Sequence, residues 1–188
     1  MKRLILSIAT VLTFGAVANA QEPTYISSDL LIEDLRGNVA KVEYVNEYGY
    51  IDNEKSFNQQ GYIIPQGIII KRDEENRIVS IKTSADSDWE YEETYTYDAN
   101  GRLTNKEYED GCTICSYTYH YDNTGSVVRI VNEGENDDNE YTITTEYSVM
   151  ARDNKGNWIK RSVKSTTVCY GEVTDQDTTI ETRRITYR

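Results

Sequence analysis

Tyr97-Asp98-Ala99-Asn100-Gly101-Arg102-Leu103 holds the end of one β-strand, a tight turn and the start of the next. Before it, Trp89, Tyr91, Tyr95 and Tyr97 share one parity, and Glu90, Glu92, Thr94 and Thr96 take the other. A period of two with one polar face marks a half-buried antiparallel strand. Asp98 then opens a type I turn, where its carboxylate accepts hydrogen bonds from backbone N–H groups two residues on. Gly101, at the fourth position, takes the left-handed conformation that closes a hairpin with a bulge. Leu103 starts the return strand, so the heptapeptide reads as strand, turn, strand.

The unit recurs along the chain. It reads DLRGNV at Asp34–Gly37, DANGRL at Asp98–Gly101, DNTGSV at Asp122–Gly125 and DNKGNW at Asp153–Gly156. A fifth copy, DEENRI, runs from Asp73 and carries Asn76 where the others carry Gly; Asn is the common substitute at positive φ. Spacings of 39, 25, 24 and 31 residues leave room for one or two strands between turns. Further returns are expected at Asp110-Gly111, at GENDDN (134–139) and around Tyr170-Gly171. Residues 46–61 read as a long loop or a poorer hairpin. Ser28 to Arg36 is expected to open with a helical turn, Ser28 as its cap and Leu30, Leu31 and Leu35 on one side. Within 21–188 there are 16 Ile and 11 Val against four Leu, a bias toward the pleated sheet. The expectation is an all-β chain, an antiparallel meander of about ten strands forming a curved open sheet. The alternative is a closed up-and-down barrel.

Residues 1–20 place Lys2 and Arg3 before an apolar stretch, Leu4 to Val17, and end on Ala18-Asn19-Ala20. These parts in this order predict a cleavable signal peptide and a single β-repeat domain over 21–188, periplasmic or secreted from a bacterium. Loss of Lys2 and Arg3 with the leader takes the net charge from −12 to −14, and such a surface repels phosphate backbones, which argues against nucleic acid. Past the leader no run of 18 apolar residues is present, so no transmembrane segment is expected. Sixteen tyrosines spread along the chain exclude a disordered acidic tail.

Tyr97-Asp98 through Leu103 and Tyr121-Asp122 through Gly125 resemble YD repeats, the units of the rearrangement-hot-spot (RHS) proteins. Asp153 to Arg161 and Asp34 to Val42 resemble the ending and opening segments of small secreted proteins of the Bacteroidetes type. The resemblance spans about residues 30–188 and rests on five copies, two of them with the Tyr-Asp pair intact. Glu33, Arg72 and Arg152 stand in the Tyr position of the others. It implies β-hairpins side by side in a long curved sheet, serving in that family as a shell or as a surface that contacts sugar or protein. Five copies are too few to enclose a cargo domain, and the resemblance carries no catalytic residue over.

The chemistry-bearing residues are sparse. His120, the single histidine, lies on the polar parity of strand 112–121, so a zinc site or a Ser-His-Asp triad is not expected. Cys112-Thr113-Ile114-Cys115 runs into strand residues, not a helix, which removes the setting of a redox pair. Cys112 or Cys115 would reach Cys169 only if the sheet curls or closes: three strand steps in a flat sheet are roughly 14 Å, and a disulfide needs Cα atoms within about 7 Å. The acidic run Glu133 to Glu140 lacks the spacing of a calcium loop and reads as a solvated return. No cofactor and no metal is expected.

The feature that points to function is the aromatic ladder Trp89, Tyr91, Tyr95, Tyr97, Tyr117, Tyr119 and Tyr121. Its rings either cross-brace the sheet or form a flat platform for sugar rings or a partner's peptide. The first expectation is therefore an exported, non-enzymatic binding or structural module that contacts a glycan or an envelope or extracellular protein. The second is a barrel for a small apolar ligand; a glycoside hydrolase ranks third. Open edges also allow an edge-strand dimer.

Overall fold

The computed structural model describes residues 27–83, 90–136 and 139–188. The expected signal peptide and Trp89 lie outside the described residues. The chain forms one short helix, α1 (Ser28–Ile32), and eleven strands. These are β1 (Val39–Val45), β2 (Ile51–Ser56), β3 (Ile68–Arg72), β4 (Ile78–Thr83), β5 (Glu92–Tyr97), β6 (Leu103–Glu109), β7 (Thr113–Tyr121), β8 (Val127–Asn136), β9 (Asn139–Arg152), β10 (Trp158–Cys169) and β11 (Glu172–Tyr187). All belong to one antiparallel sheet in the order β2-β1-β11-β10-β9-β8-β7-β6-β5-β4-β3. The meander thus runs unbroken from β3 to β11, and strand 102–109 lies between its predicted neighbours. The first hairpin departs from it: β1 pairs with β11, far away in the chain.

Four turns have the geometry their sequences predict. At Asp73, Asp98, Asp122 and Asp153 the backbone N–H donates to the carbonyl four residues on, and the residue at the fourth position donates back to the Asp carbonyl, all at 2.8–3.1 Å. Each Asp Oδ1 accepts from the N–H groups two and four residues on. Asn76, Gly101, Gly125 and Gly156 sit at φ between +59° and +84°. The same bonds recur at Asn46 and Asn58, where an amide oxygen replaces the carboxylate. Residues 46–61 are therefore β2 between two N-x-x-G turns, more regular than expected.

The copy at Asp34 does not join two strands. It follows α1, capped by Ser27 one residue before the predicted Ser28, and ends that helix. Asp34, at φ +48°, donates to the Leu31 carbonyl and Leu35 to the Leu30 carbonyl, the double bond of a left-handed helix stop. Leu30 and Leu35 pack together there. The motif fixes a reversal of direction; whether helix or strand precedes it decides what is reversed.

The repeat also explains its flanking residues. Arg77 and Arg102 pair with the Asp of their own turns. Each guanidinium covers the tyrosine that opens the next unit, Arg77 over Tyr97 at 5.1 Å and Arg102 over Tyr121 at 5.5 Å. Those hydroxyls donate to the carbonyls of Ile78 and Leu103, at 2.7 and 2.8 Å. Adjacent hairpins are thus latched Tyr-to-Arg along the turn end of the sheet. The apolar residue after three of the four turns, Ile78, Leu103 or Trp158, is 1–2% exposed and packs inward, whereas Val127 after the Asp122 turn is half-buried.

The turn carboxylates carry a pH dependence. Partial burial raises the pKa of Asp73, Asp98, Asp122 and Asp153, but hydrogen bonds from the turn outweigh it, and each lies below the usual value. A depressed folded pKa gives stability that is complete above the unfolded value, about 3.9 for Asp, and is lost as pH falls through the folded one. The urea midpoint is expected to hold from pH 7 to about 5 and to fall between about pH 4 and 2. Asp98→Asn keeps the acceptor, as Asn46 and Asn58 do, and is expected to fold with a shallower acid limb. Asp98→Ala strands the turn N–H groups at a cost of about 1–2 kcal/mol. Equal midpoints for the two variants at pH 7 would refute this account.

Because β2 and β3 both run toward the turn end, they cannot pair as an antiparallel hairpin, and residues 57–67 cross back between them. The hydrogen-bond ladder therefore stays open at that one seam, and the sheet is not a closed barrel. It is nonetheless strongly curled. β2 and β5 stand eight steps apart along the ladder, about 38 Å in a flat sheet, yet Lys55 and Glu93 line one cavity. α1 and Leu30, Leu35, Val39, Val42 and Phe57 form an apolar cluster. Arg36 ties this segment to the Asp122 and Asp153 turns through Thr124, Ser126, Gly156 and Asn157.

Candidate functional site

The concave side of the curl holds a half-open chamber of about 240 Å³. Its wall draws Glu33 from the end of α1, Tyr44 from β1, Lys55 from β2, Glu93 and Tyr95 from β5, Lys106 from β6, Tyr119 from β7, Tyr147 from β9, and Trp158 and Arg161 from β10. A second cavity, about 340 Å³, shares Glu33, Lys55, Glu93 and Tyr95 and reaches toward the seam, where Ile63, Ile64, Ile68, Ile78 and Ile81 line it. The chamber is polar and aromatic, and the seam adds isoleucines to a mixed lining that includes Asn53, Glu54, Ser56 and Gln66.

Its charges are paired in a row. Lys55 Nζ lies 2.5 Å from Glu33, and Lys106 Nζ 2.8 Å from Glu93. Tyr44 donates to Glu33 at 2.9 Å, and Tyr95 donates to Glu93. Burial raises the Glu33 pKa, but the Lys55 ammonium and the hydrogen bonds from Lys55 and Tyr44 outweigh it and hold the carboxyl below the usual range. Burial and neighbouring carboxylates push Tyr44, Tyr95 and Tyr119 far above the ordinary phenol value. At neutral pH these hydroxyls keep their protons. On the opposite wall Arg161 pairs with Glu181 at 2.6 Å and covers Tyr147 and Trp158, 3.8 and 4.1 Å from the ring centroids. Arg183 covers Trp158 at 3.8 Å.

The predicted aromatic ladder divides in two. Tyr91 stacks on Tyr108 at 5.8 Å, Lys106 covers Tyr117 at 4.2 Å, and Tyr97 and Tyr121 are the latches under Arg77 and Arg102. These four brace the sheet. Tyr95 and Tyr119 both line the chamber, and among the described residues no ring or cation stacks on either. The aromatic surface is therefore concave and mostly covered, not a flat platform. Sequence reasoning missed Glu33, Tyr44, Lys55, Glu93, Lys106, Tyr147, Trp158 and Arg161 as members of the site. Their parity on separate strands was the one available signal, and it becomes a site only once the sheet curls.

Elsewhere, His120 is exposed on β7 opposite Arg129. Cys112 is exposed, Cys115 buried and Cys169 half-buried, and all three thiols are free. β8 and β9 separate β7 from β10. The expected 134–139 return is shorter than predicted, since Gly134 to Asn136 belong to β8 and Asn139 to β9, which pair down to Asn136 opposite Asn139. Among the described residues no group of three or more His, Cys, Asp or Glu is placed to hold a metal ion. Among them, too, no helix is long and apolar enough to cross a membrane. No family model and no curated protein matches the chain.

Proposed function

We propose that this chain is an exported, non-enzymatic binding module of the YD-repeat type, whose chamber takes one ring of a glycan. The observation that carries the reading is the chamber wall, in which paired charges alternate with protonated tyrosine hydroxyls and two rings are left uncovered. A sugar ring asks for such a wall: fixed donors and acceptors around its hydroxyls, and an aromatic surface against its C–H face. A volume of about 240 Å³ is small for a ligand site and suits a single ring. Six charged side chains on the wall count against a small apolar ligand. Glu33, held ionised by Lys55 and Tyr44, is a poor proton donor, which counts against hydrolysis. The leader and the latched turns support export and the family resemblance.

The test is titration of the mature chain with a panel of mono- and disaccharides by calorimetry. Tyr119→Phe and Tyr95→Phe are each expected to weaken binding about tenfold, the equivalent of about 1.4 kcal/mol. Tyr97→Phe, a latch, is expected to leave affinity unchanged while lowering the urea midpoint. Binding indifferent to Tyr95 and Tyr119, or a fluorescent lipid probe held where sugars are not, would remove the glycan reading.

A further inference from the structure

β11 is the longest strand of the sheet, and its two halves have different neighbours, whose registers overlap only at Thr182. β10 pairs with it from Glu172 to Thr182, whereas β1 pairs with it only from Thr182 to Tyr187. β1 stops at Val45 because the Asn46 turn reverses it. Among the described residues nothing pairs with the other edge of β11 before Thr182. A groove of about 990 Å³ fills the vacated place, lined by Tyr48 and Asp52 of the first hairpin, Lys160 of β10, and Thr178, Ile180 and Glu181 of β11. It lies where a longer β1 would continue. Tyr48 stands at its rim 77% exposed.

An open strand edge is a template for another chain, and proteins usually blunt such edges with lysine, proline or a bulge. Here Thr174 is bulged, since Thr167 pairs with Asp175 and Val168 with Val173. From Asp175 to Glu181 the register is regular and the sequence, DQDTTIE, holds neither lysine, arginine nor proline. Asp175, Asp177 and Glu181 share the parity of Arg183; Glu181 is held by Arg161, so the carboxylate face offered to a guest is Asp175 and Asp177 at strand spacing. Ile180, on the other parity, is also exposed.

We infer that the Asp175–Glu181 edge of β11 is a docking site for an extended basic segment of another protein, which adds to the sheet as a strand in line with β1. Backbone hydrogen bonds supply the attachment, and alternation supplies the selectivity. Lysine or arginine at every second position of the guest meets the carboxylate face, while its β-branched residues meet Ile180. A second copy of this chain fits poorly, because the same edge brings the same carboxylates. This site lies outside the chamber and meets its wall through the Glu181–Arg161 ion pair, and its occupancy does not depend on a sugar.

The experiment uses the mature chain and a fluorescein-labelled peptide, Lys-Val-Lys-Thr-Lys-Val-Lys-Thr, read by anisotropy at low salt and by amide hydrogen exchange. Saturable binding is expected, with new protection confined to Asp175–Glu181. Asp175→Lys combined with Asp177→Lys, both at exposed positions, is expected to weaken it at least tenfold. The same peptide N-methylated at alternate residues is expected not to bind, since it keeps the charge and loses the ladder. Absence of binding, equal binding of the methylated peptide, protection elsewhere, or self-association of the chain through this edge would each overturn the inference.

Discussion

Replacing Arg183 with Met is expected to lower the stability of the fold by about 3–5 kcal/mol, or roughly 10 °C in melting temperature. The side chain is only 2% exposed, and its guanidinium joins three parts of the fold. Nε donates to the Trp158 carbonyl at 2.7 Å, and Nη1 and Nη2 donate to the Glu33 and Asp34 carbonyls at 2.8 Å each. The last two are carbonyls at the stop of α1, which the short helix cannot satisfy itself. Methionine fills much of the volume and packs on Trp158 but removes the three donors that Arg183 supplies to the carbonyls of Trp158, Glu33 and Asp34. Arg183→Lys is expected to recover only part of the loss, because an ammonium lacks the planar fork that reaches all three and lies flat on the indole. Urea unfolding followed by circular dichroism measures the difference. A Met variant within 1 kcal/mol of the parent would show that water replaces the guanidinium, and that this end of the curl is not dry.

Arg183 also illustrates what a sequence shows and what it withholds. The turns were legible because each is a local contract: an acceptor at the first position, a residue tolerant of positive φ at the fourth. Asp98–Gly101 states both in four letters. Asn46 and Asn58 meet the same contract with an amide oxygen, and an acidic template passes over them. Asp34 met the template yet ends a helix, because the Ser27 cap and Leu30 and Leu31 had already set the chain winding. Strand parity was local as well, and it placed the latching tyrosines on a common face. The chamber was not local. Glu33, Lys55, Glu93, Lys106 and Arg161 come from five elements, and no pair of them lies closer than 13 residues in the chain. They meet because the sheet curls, and the curl depends on where the ladder breaks. Pairing of β1 with β11 moves the opening from the chain ends to the seam between β2 and β3.

That seam is held at the turn end by Asp29, and Asp29→Ala is expected to open it at a cost of about 2–4 kcal/mol. The carboxylate is fully buried and receives Arg72 of β3 in a fork, Nη1 on Oδ1 at 2.7 Å and Nη2 on Oδ2 at 2.8 Å. Oδ2 also accepts the Ile63 N–H at 2.7 Å, from the segment that crosses between the edge strands. Ser27, two residues earlier, donates to the Gly61 carbonyl at 2.6 Å. One acid thus joins α1, the crossing segment and β3, which the ladder leaves apart. Removing it leaves a partly exposed guanidinium that water can reach and a main-chain N–H that has lost its acceptor, so the expected damage is local. Amide exchange should quicken in α1 and residues 57–67 while β6 to β10 keep their protection. The freed β3 edge carries Ile68, Ile69 and Ile70, and an uncovered apolar edge recruits another. The variant is therefore expected to associate with rising concentration in sedimentation velocity. Asp29→Asn, which keeps an acceptor for Ile63 but loses the ion pair, should lie between it and the parent. Uniform loss of protection across all eleven strands would mean that the seam and the sheet unfold as one unit, and that Asp29 serves the whole curl.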